Sequence, residues 1–425
     1  MIEKISLLLF GWIVMFLCAA SCETPPRDRE SDNPAGTGAQ SSDDTKGTES
    51  DGPASSVEIP ARAEGFLHVE GRRLVDDNGA EARLTGVNWF GFETNNQAPH
   101  GIWARDYRSV MHQIADLGFN TVRIPWSNAI MRDDAAAVSV NTYGIDPYDN
   151  AEPLNEGLDG KSPLEILDLI IEAAGEYRLK VMLDNHSREP DGYMNETLWY
   201  ISGAFSEEQW IADWIDLAER YNGDTTVVAF DLNNEPHDEA TWGTGNSATD
   251  WNLAAQKCGN AILAVNPNVL IVVEGVEDVN GDGYWWGGNL RGVRQHPIEL
   301  IIPEKLVYSA HEYGPEVFQQ DWFLAGGFPG NMAGIWDANF GFIMDDETGH
   351  VFIGEFGIRD RGAYDGKAGV WFDTFLEYLG DTYSWTFWSL NPNSGDTQGI
   401  LQDDWVTPHQ WKMDALSAHL APFID

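Results

Sequence analysis

Two glutamates stand at positions suited to chemistry. The apolar run Val227-Val228-Ala229-Phe230 turns polar at Asp231-Leu232-Asn233-Asn234-Glu235 and stops at Pro236. A second apolar run, Val351-Phe352-Ile353-Gly354-Glu355-Phe356-Gly357, delivers another glutamate. Each reads as a buried strand with a carboxylate at its carboxyl tip, which is where parallel barrels carry their reactive groups. A protonated carboxyl beside a leaving oxygen and an ionised one beneath an anomeric carbon are what glycoside hydrolysis requires.

Other strand ends add partners. His186 closes Asp184-Asn185-His186, while His311 and Tyr313 close His311-Glu312-Tyr313. A lone histidine is more often structural, but here several such ends face the same rim as both glutamates. Arg123, in Arg123-Ile124-Pro125-Trp126, either pairs with a surface acid or stands beside Glu355 and keeps it ionised. Uncharged sugars offer no charge to grip, so aromatic faces and hydroxyl hydrogen bonds must supply affinity. Of the 18 tryptophans, Trp89, Trp242, Trp285, Trp286 and Trp388 fall in loops or strand ends. Core packing is the alternative for each, except that the strand position of Trp388 points it into a cleft.

Eight strands position these groups: 83–89, 121–126, 180–186, 226–234, 269–276, 306–313, 351–356 and 384–390. Helical patterns lie between them at 104–117, 163–177, 206–221, 251–265 and 369–379. Eight strands alternating with helices predict an α/β fold, a (β/α)8 TIM barrel. Phe66–Val69 and Arg73–Val75, followed by Asp76-Asp77-Asn78-Gly79, predict a short N-terminal β-hairpin that caps the bottom of the barrel.

The chain has 425 residues and a net charge of −43. Residues 1–64 account for −6, so −37 belongs to residues 65–425, which excludes nucleic acid and anionic lipid surfaces as partners. Only eight of the 25 basic residues are lysine. That composition fits a saline habitat, with an ordinary acidic exported enzyme as the alternative.

Residues 1–22 read as a signal peptide: Lys4, an apolar run from Ile5 to Leu17, then Ala19-Ala20-Ser21-Cys22. Small residues before a cysteine resemble a bacterial lipobox with Cys22 lipidated; ordinary cleavage nearby is the alternative. Either way the chain is expected to be exported, secreted or lipid-anchored at the bacterial cell surface. Residues 23–64 are rich in Pro, Gly, Ser, Thr and Asp and read as a disordered acidic linker. Residues 65–425 form the expected catalytic domain, where Cys258 is the only cysteine. No cofactor and no metal ion is expected. Asp278–Gly283 looks like the start of a calcium loop, but Asn289 stands where a bidentate acid is needed.

The segments LTGVNWFGFETNN, GIWARDYRSVMHQIADLGFNTVRIPWS, FDLNNEPHDEATWG, VEGVEDVNGDGYWWGGNL, LVYSAHEYG, FIGEFG and WTFWSLNPNSGDTQGIL resemble the cellulase branch of glycoside hydrolase family 5. The resemblance spans nearly all of residues 66–420. It implies a retaining endo-β-1,4-glucanase with Glu235 as acid/base and Glu355 as nucleophile. It further implies that Asn234 grips the sugar 2-hydroxyl and Arg123 orients the nucleophile. His186, His311 and Tyr313 would line the cleaved-bond region, Trp388 would stack under the sugar, and Trp89 is a further candidate for substrate binding. A cis peptide at Trp388–Ser389 is also implied. The expected partner is a β-1,4-glucan polysaccharide acted on by a monomer, with the membrane touched only through Cys22. A relative acting on mannan, xyloglucan or mixed-linkage glucan, or an inactive surface carbohydrate-binding protein, are the alternatives.

Overall fold

The computed structural model describes residues 62–425, so the expected leader and nearly all of the expected linker, with Cys22, lie outside the described residues. Strands β1 (Leu67–Glu70) and β2 (Arg73–Asp76) pair antiparallel, and β3 (Glu81–Ala82) adds to β2. The expected hairpin is present, and β3 extends it into a three-stranded sheet. The Asp76 side chain makes the second turn, accepting from the backbone N–H groups of Asn78 and Ala80, both at 2.8 Å. Leu67, Leu74 and Ala82 then pack against Met182, Leu270, Val307 and Phe352, which closes the amino end of the barrel. Lys305 ties the cap down by donating to the Leu67 carbonyl at 2.7 Å.

Eight parallel strands close the barrel: β4 (Thr85–Asn88), β5 (Thr121–Ser127), β6 (Lys180–Ser187), β7 (Val227–Asp231), β8 (Leu270–Glu274), β11 (Leu306–His311), β12 (His350–Glu355) and β13 (Ser384–Phe387). All eight predicted strands are present. A small hairpin of β9 (Asp278–Val279) and β10 (Asp282–Gly283) follows β8 and occupies the stretch that resembled a calcium loop. Asn289 donates to the Asp282 carbonyl at 2.6 Å and so braces this hairpin.

Helices α1 (Tyr107–Asp116), α2 (Pro163–Glu176), α3 (Glu207–Arg220) and α4 (Trp251–Val265) surround the first strands. Between β11 and β12 lie a short helix α5 (Asp321–Leu324) and a longer helical run in which α6 (Met332–Trp336) and α7 (Phe342–Asp345) are joined by a π-helical turn at Asp337–Gly341. Helix α8 (Lys367–Leu379) and the terminal α9 (Gln410–Leu416) complete the ring. Helix α2 starts where it does because Ser162 and Glu165 form a capping box ahead of Pro163.

Strand alternation decides which side chains reach the site. Leu270 and Val272 pack inside the barrel, whereas Ile271 and Val273 join the larger core between barrel and helices. The next inward position on β8 is Glu274. The same period takes Met182 to Asp184 and His186 on β6, and Val307 to Ser309 and His311 on β11. Inward positions thus change from apolar at the amino end to ionisable at the carboxyl end.

Candidate active site

Arg123 is the centre of the carboxyl rim. It is fully buried, and its guanidinium lies 2.8 Å from Glu355, 2.9 Å from Asp231, and 3.1 Å from both Asp184 and Glu274. It also donates to the Oδ1 atoms of Asn88 (3.0 Å) and Asn234 (3.1 Å). A buried guanidinium is tolerated only when its donors are satisfied, and five strand ends supply the acceptors here. Burial acts to lower the arginine pKa, but the surrounding carboxylates outweigh it and hold it well above its ordinary value.

Glu355 sits at the tip of β12, where pairing with β11 shifts register so that His311 opposes Glu355. The intervening Gly354 turns inward. A Cβ there would lie 2.7 Å from His311 Nε2, so only glycine fits. Each Glu355 oxygen has a donor: Arg123 Nη1 to Oε1 at 2.8 Å and the Tyr313 hydroxyl to Oε2 at 2.7 Å. Burial pushes the Glu355 carboxyl up, yet the charges of His311, Arg123 and His186 and the Tyr313 bond hold it below the usual range.

Glu235 lies just past the tip of β7 in the left-handed region, with φ of +47°. That conformation is held from both sides. Its N–H donates to Glu274 Oε2 at 2.8 Å, and its carbonyl accepts from His237 Nδ1 at 2.6 Å. His311 Nδ1 is 2.9 Å from Glu235 Oε1, and His311 Nε2 is 3.2 Å from Glu274. Burial raises the Glu235 carboxyl, His311 offsets part of that rise, and Glu355 and Glu274 add to it, leaving Glu235 above its ordinary value. One oxygen of each glutamate and a nitrogen of His311 lie within 4.8 Å of one another. Burial opposes charge on His311, but the glutamates around it raise its pKa well above the usual imidazole value.

A cleft of about 430 Å³ opens over this pair. His186, Asn234, Tyr313 and Trp388 line it with both glutamates, as do Tyr193, Trp285, Trp286 and Phe318. His186 stacks on Trp388 at 5.5 Å between ring centroids and hydrogen-bonds Asp184 through Nδ1 at 2.7 Å. The Trp388–Ser389 peptide is cis.

Trp89 is placed elsewhere. It is 1% exposed and donates from Nε1 to the His100 carbonyl at 2.9 Å. Because Asn88 points inward, the strand period sends Trp89 to the helix side, and Phe90 is the neighbour that stacks on Trp388. Trp242 is likewise buried, with its N–H on the His296 carbonyl. Cys258 is a buried free thiol on α4.

Sequence reasoning passed over Glu274 and Asp231. Glu274 had the signal that marks Glu355, an apolar strand ending Val273-Glu274-Gly275. Burial and the charge of Glu274 push the Asp231 carboxyl well above its ordinary value, against the pull of Arg123 beside it. Tyr193, 42% exposed, and Phe318, 63% exposed, carry no periodic signal because they sit on loops that flank the cleft.

The cellulase family (glycosyl hydrolase family 5) matches residues 75–394. An endoglucanase of Paenibacillus polymyxa is 43% identical over 370 residues, 86% of this chain and 89% of its own length. The major extracellular endoglucanase of Xanthomonas campestris pv. campestris is 43% identical over 352 residues, 81% of this chain and 69% of its own. The solved catalytic domain of the Xanthomonas enzyme superimposes with a TM-score of 0.76 at 40% identity, covering 83% of this chain and 99% of that one. A cellotetraose complex of an endocellulase from Pyrococcus horikoshii gives 0.77 at 36% identity, covering 84% and 99%.

Proposed function

The chain belongs to the cellulase family, glycoside hydrolase family 5, and we propose that Glu235 and Glu355 carry its reaction as acid/base and nucleophile. It is an endo-β-1,4-glucanase that hydrolyses internal bonds of cellulose-type β-glucans. The observation that carries the assignment is the opposite electrostatic bias on two glutamates whose oxygens lie within 4.8 Å. Retaining hydrolysis places its two carboxyls about 5–5.5 Å apart, whereas inversion needs about 6.5–9.5 Å to admit a water.

Glu355, kept ionised by Arg123 and Tyr313, attacks C1 of the sugar seated over Trp388. Glu235 protonates the departing oxygen, and the C1–O bond breaks as the glycosyl ester forms. His311 occupies Glu235 Oε1, which leaves Oε2 to carry the proton. Asn234, with its Oδ1 held by Arg123 and its side chain on the cleft, grips the 2-hydroxyl of that sugar. Once Glu355 is esterified its charge is gone, and one cause of the raised Glu235 pKa goes with it. Glu235, now a carboxylate, takes a proton from water, which attacks C1 and releases Glu355 with net retention.

Substitution separates the two roles. Glu355→Ala is expected to lose about 10⁴-fold or more in turnover on every substrate, because the covalent route is closed. Glu235→Ala should still form the ester from an aryl cellobioside whose leaving group needs no proton, and azide should rescue it with retained configuration. Azide rescue of Glu355→Ala with retention would exchange the roles.

We also infer that residues 65–425 are the catalytic domain and that the chain is exported and anchored through Cys22. The leader pattern ending at Cys22 and the Xanthomonas relative named as extracellular support export. Cys22→Ala is expected to move the activity from the membrane fraction to the soluble one, and unchanged sedimentation would remove the anchor.

A further inference from the structure

We infer that His237 is a positioning residue that seats Trp286 as the platform for the sugar on the leaving side of the cut. This rests on Glu235 being the acid. The cleft has two ends. The Trp388 N–H donates to the Phe356 carbonyl at 2.8 Å, which sets Trp388 beside the nucleophile Glu355. Trp286 lies at the other end. It follows β8, and the adjacent Gly287 approaches so closely that a Cβ there would lie 3.2 Å from the Glu235 Cα. The acid must stand at the leaving oxygen, so Trp286 flanks the leaving sugar.

Trp286 lines the cleft and His237 does not; His237 is 1% exposed. The two rings stack face to face, 3.8 Å between centroids and 7° from parallel. One face of the indole is thereby covered by imidazole, and the indole lines the cleft that receives the sugar. Three bonds fix this backing. His237 Nδ1 lies 2.6 Å from the Glu235 carbonyl, and because a carbonyl only accepts, Nδ1 carries the hydrogen. The His237 N–H donates to the Thr197 carbonyl at 3.2 Å, and the Asp238 N–H donates to Glu277 Oε2 at 3.0 Å, joining the two loops. The residue that fixes the acid's left-handed backbone therefore also orients the sugar platform.

The same platform holds an acceptor sugar once the first product has left. The acceptor hydroxyl attacks C1, the bond from C1 to Glu355 breaks, and the proton passes to Glu235, giving a transfer product in place of hydrolysis.

Two variants divide the roles of His237. His237→Asn keeps a donor near the Nδ1 position and removes the stacking face; His237→Phe keeps the face and removes the donor. The readout is kcat/KM on cellotetraose divided by kcat/KM on phenyl cellobioside, whose poor leaving group still needs the acid but is not a sugar, together with transfer to added cellobiose. His237→Asn is expected to lower the ratio about tenfold and to cut transfer in parallel. His237→Phe should hold the ratio within about twofold of the parent, any loss falling equally on both substrates. An unchanged ratio in His237→Asn, or an equal fall in both variants, would overturn the inference. Should His237→Asn not fold, Trp286→Ala must lower the same ratio or the inference fails. A parent enzyme that cuts neither substrate would instead refute the catalytic reading itself.

Discussion

Single side chains in this protein are set by how burial and charge compete. Glu355 and Glu235 are both enclosed, yet one has Arg123 and Tyr313 on its oxygens and the other has only His311. Glu312 is a purer case of burial. It is fully enclosed, it accepts from the Tyr284 hydroxyl and from Trp371 Nε1, and burial pushes its carboxyl up to about 7 despite those bonds. An unfolded glutamate titrates near 4.3, so between that value and about 7 the folded state holds a proton that the unfolded state has lost. Stability from this group is complete below pH 4, falls as pH rises through the window, and levels off above it. The span is of the order of 3–4 kcal/mol. Glu312→Gln, which mimics the protonated acid, should flatten the dependence measured by urea melts at pH 5 and 7.5. Glu93, also pushed to about 7 by burial, would leave a residual slope. A variant whose stability falls with pH as steeply as the parent's would refute the assignment to Glu312.

At the scale of elements, the site depends on loops that approach more closely than side chains allow. The chain after β8 returns to Glu274, with Gly275 N–H on the Gly287 carbonyl at 2.8 Å. Gly287 has φ of +65°, and a Cβ there would lie 2.2 Å from Glu274 Oε2, the atom that holds the Glu235 N–H. Gly287→Ala meets both the left-handed penalty, about 1–2 kcal/mol, and a collision with a carboxylate that has no room to move. We expect a lower melting temperature by denaturation and at least a tenfold loss of kcat on cellotetraose. Full activity in this variant would show that Glu274 does not hold Glu235 in place.

For the whole molecule, the dominant fact is charge. The −37 of residues 65–425 is spread over a surface with few lysines. Repulsion among these carboxylates is screened as the Debye length falls from about 10 Å at 0.1 M salt to about 3 Å at 1 M. The melting temperature should therefore rise with sodium chloride over that range; chloride is the proper test because sulfate strengthens burial in any protein. A flat or falling curve would favour an ordinary acidic enzyme over one suited to brine.

Much of this was legible in the sequence because strand and helix periods are local. Eight apolar runs ending in polar residues specified the barrel, and the period of two predicts that Arg123, Asp184, His186, Glu274 and His311 share its interior. The same period, applied one residue further, would have excluded Trp89. Local patterns do not report distance between strands that are far apart in the chain. That the four carboxyls of Asp184, Asp231, Glu274 and Glu355 converge on one guanidinium, and that Glu235 is raised while Glu355 is lowered, was decided by barrel closure. So was the stack of His237 on Trp286, whose loops meet only because β7 and β8 are neighbours in the closed sheet. Sequence determines which groups point inward; electrostatic bias depends on separation and enclosure, and those exist only once the sheet has closed.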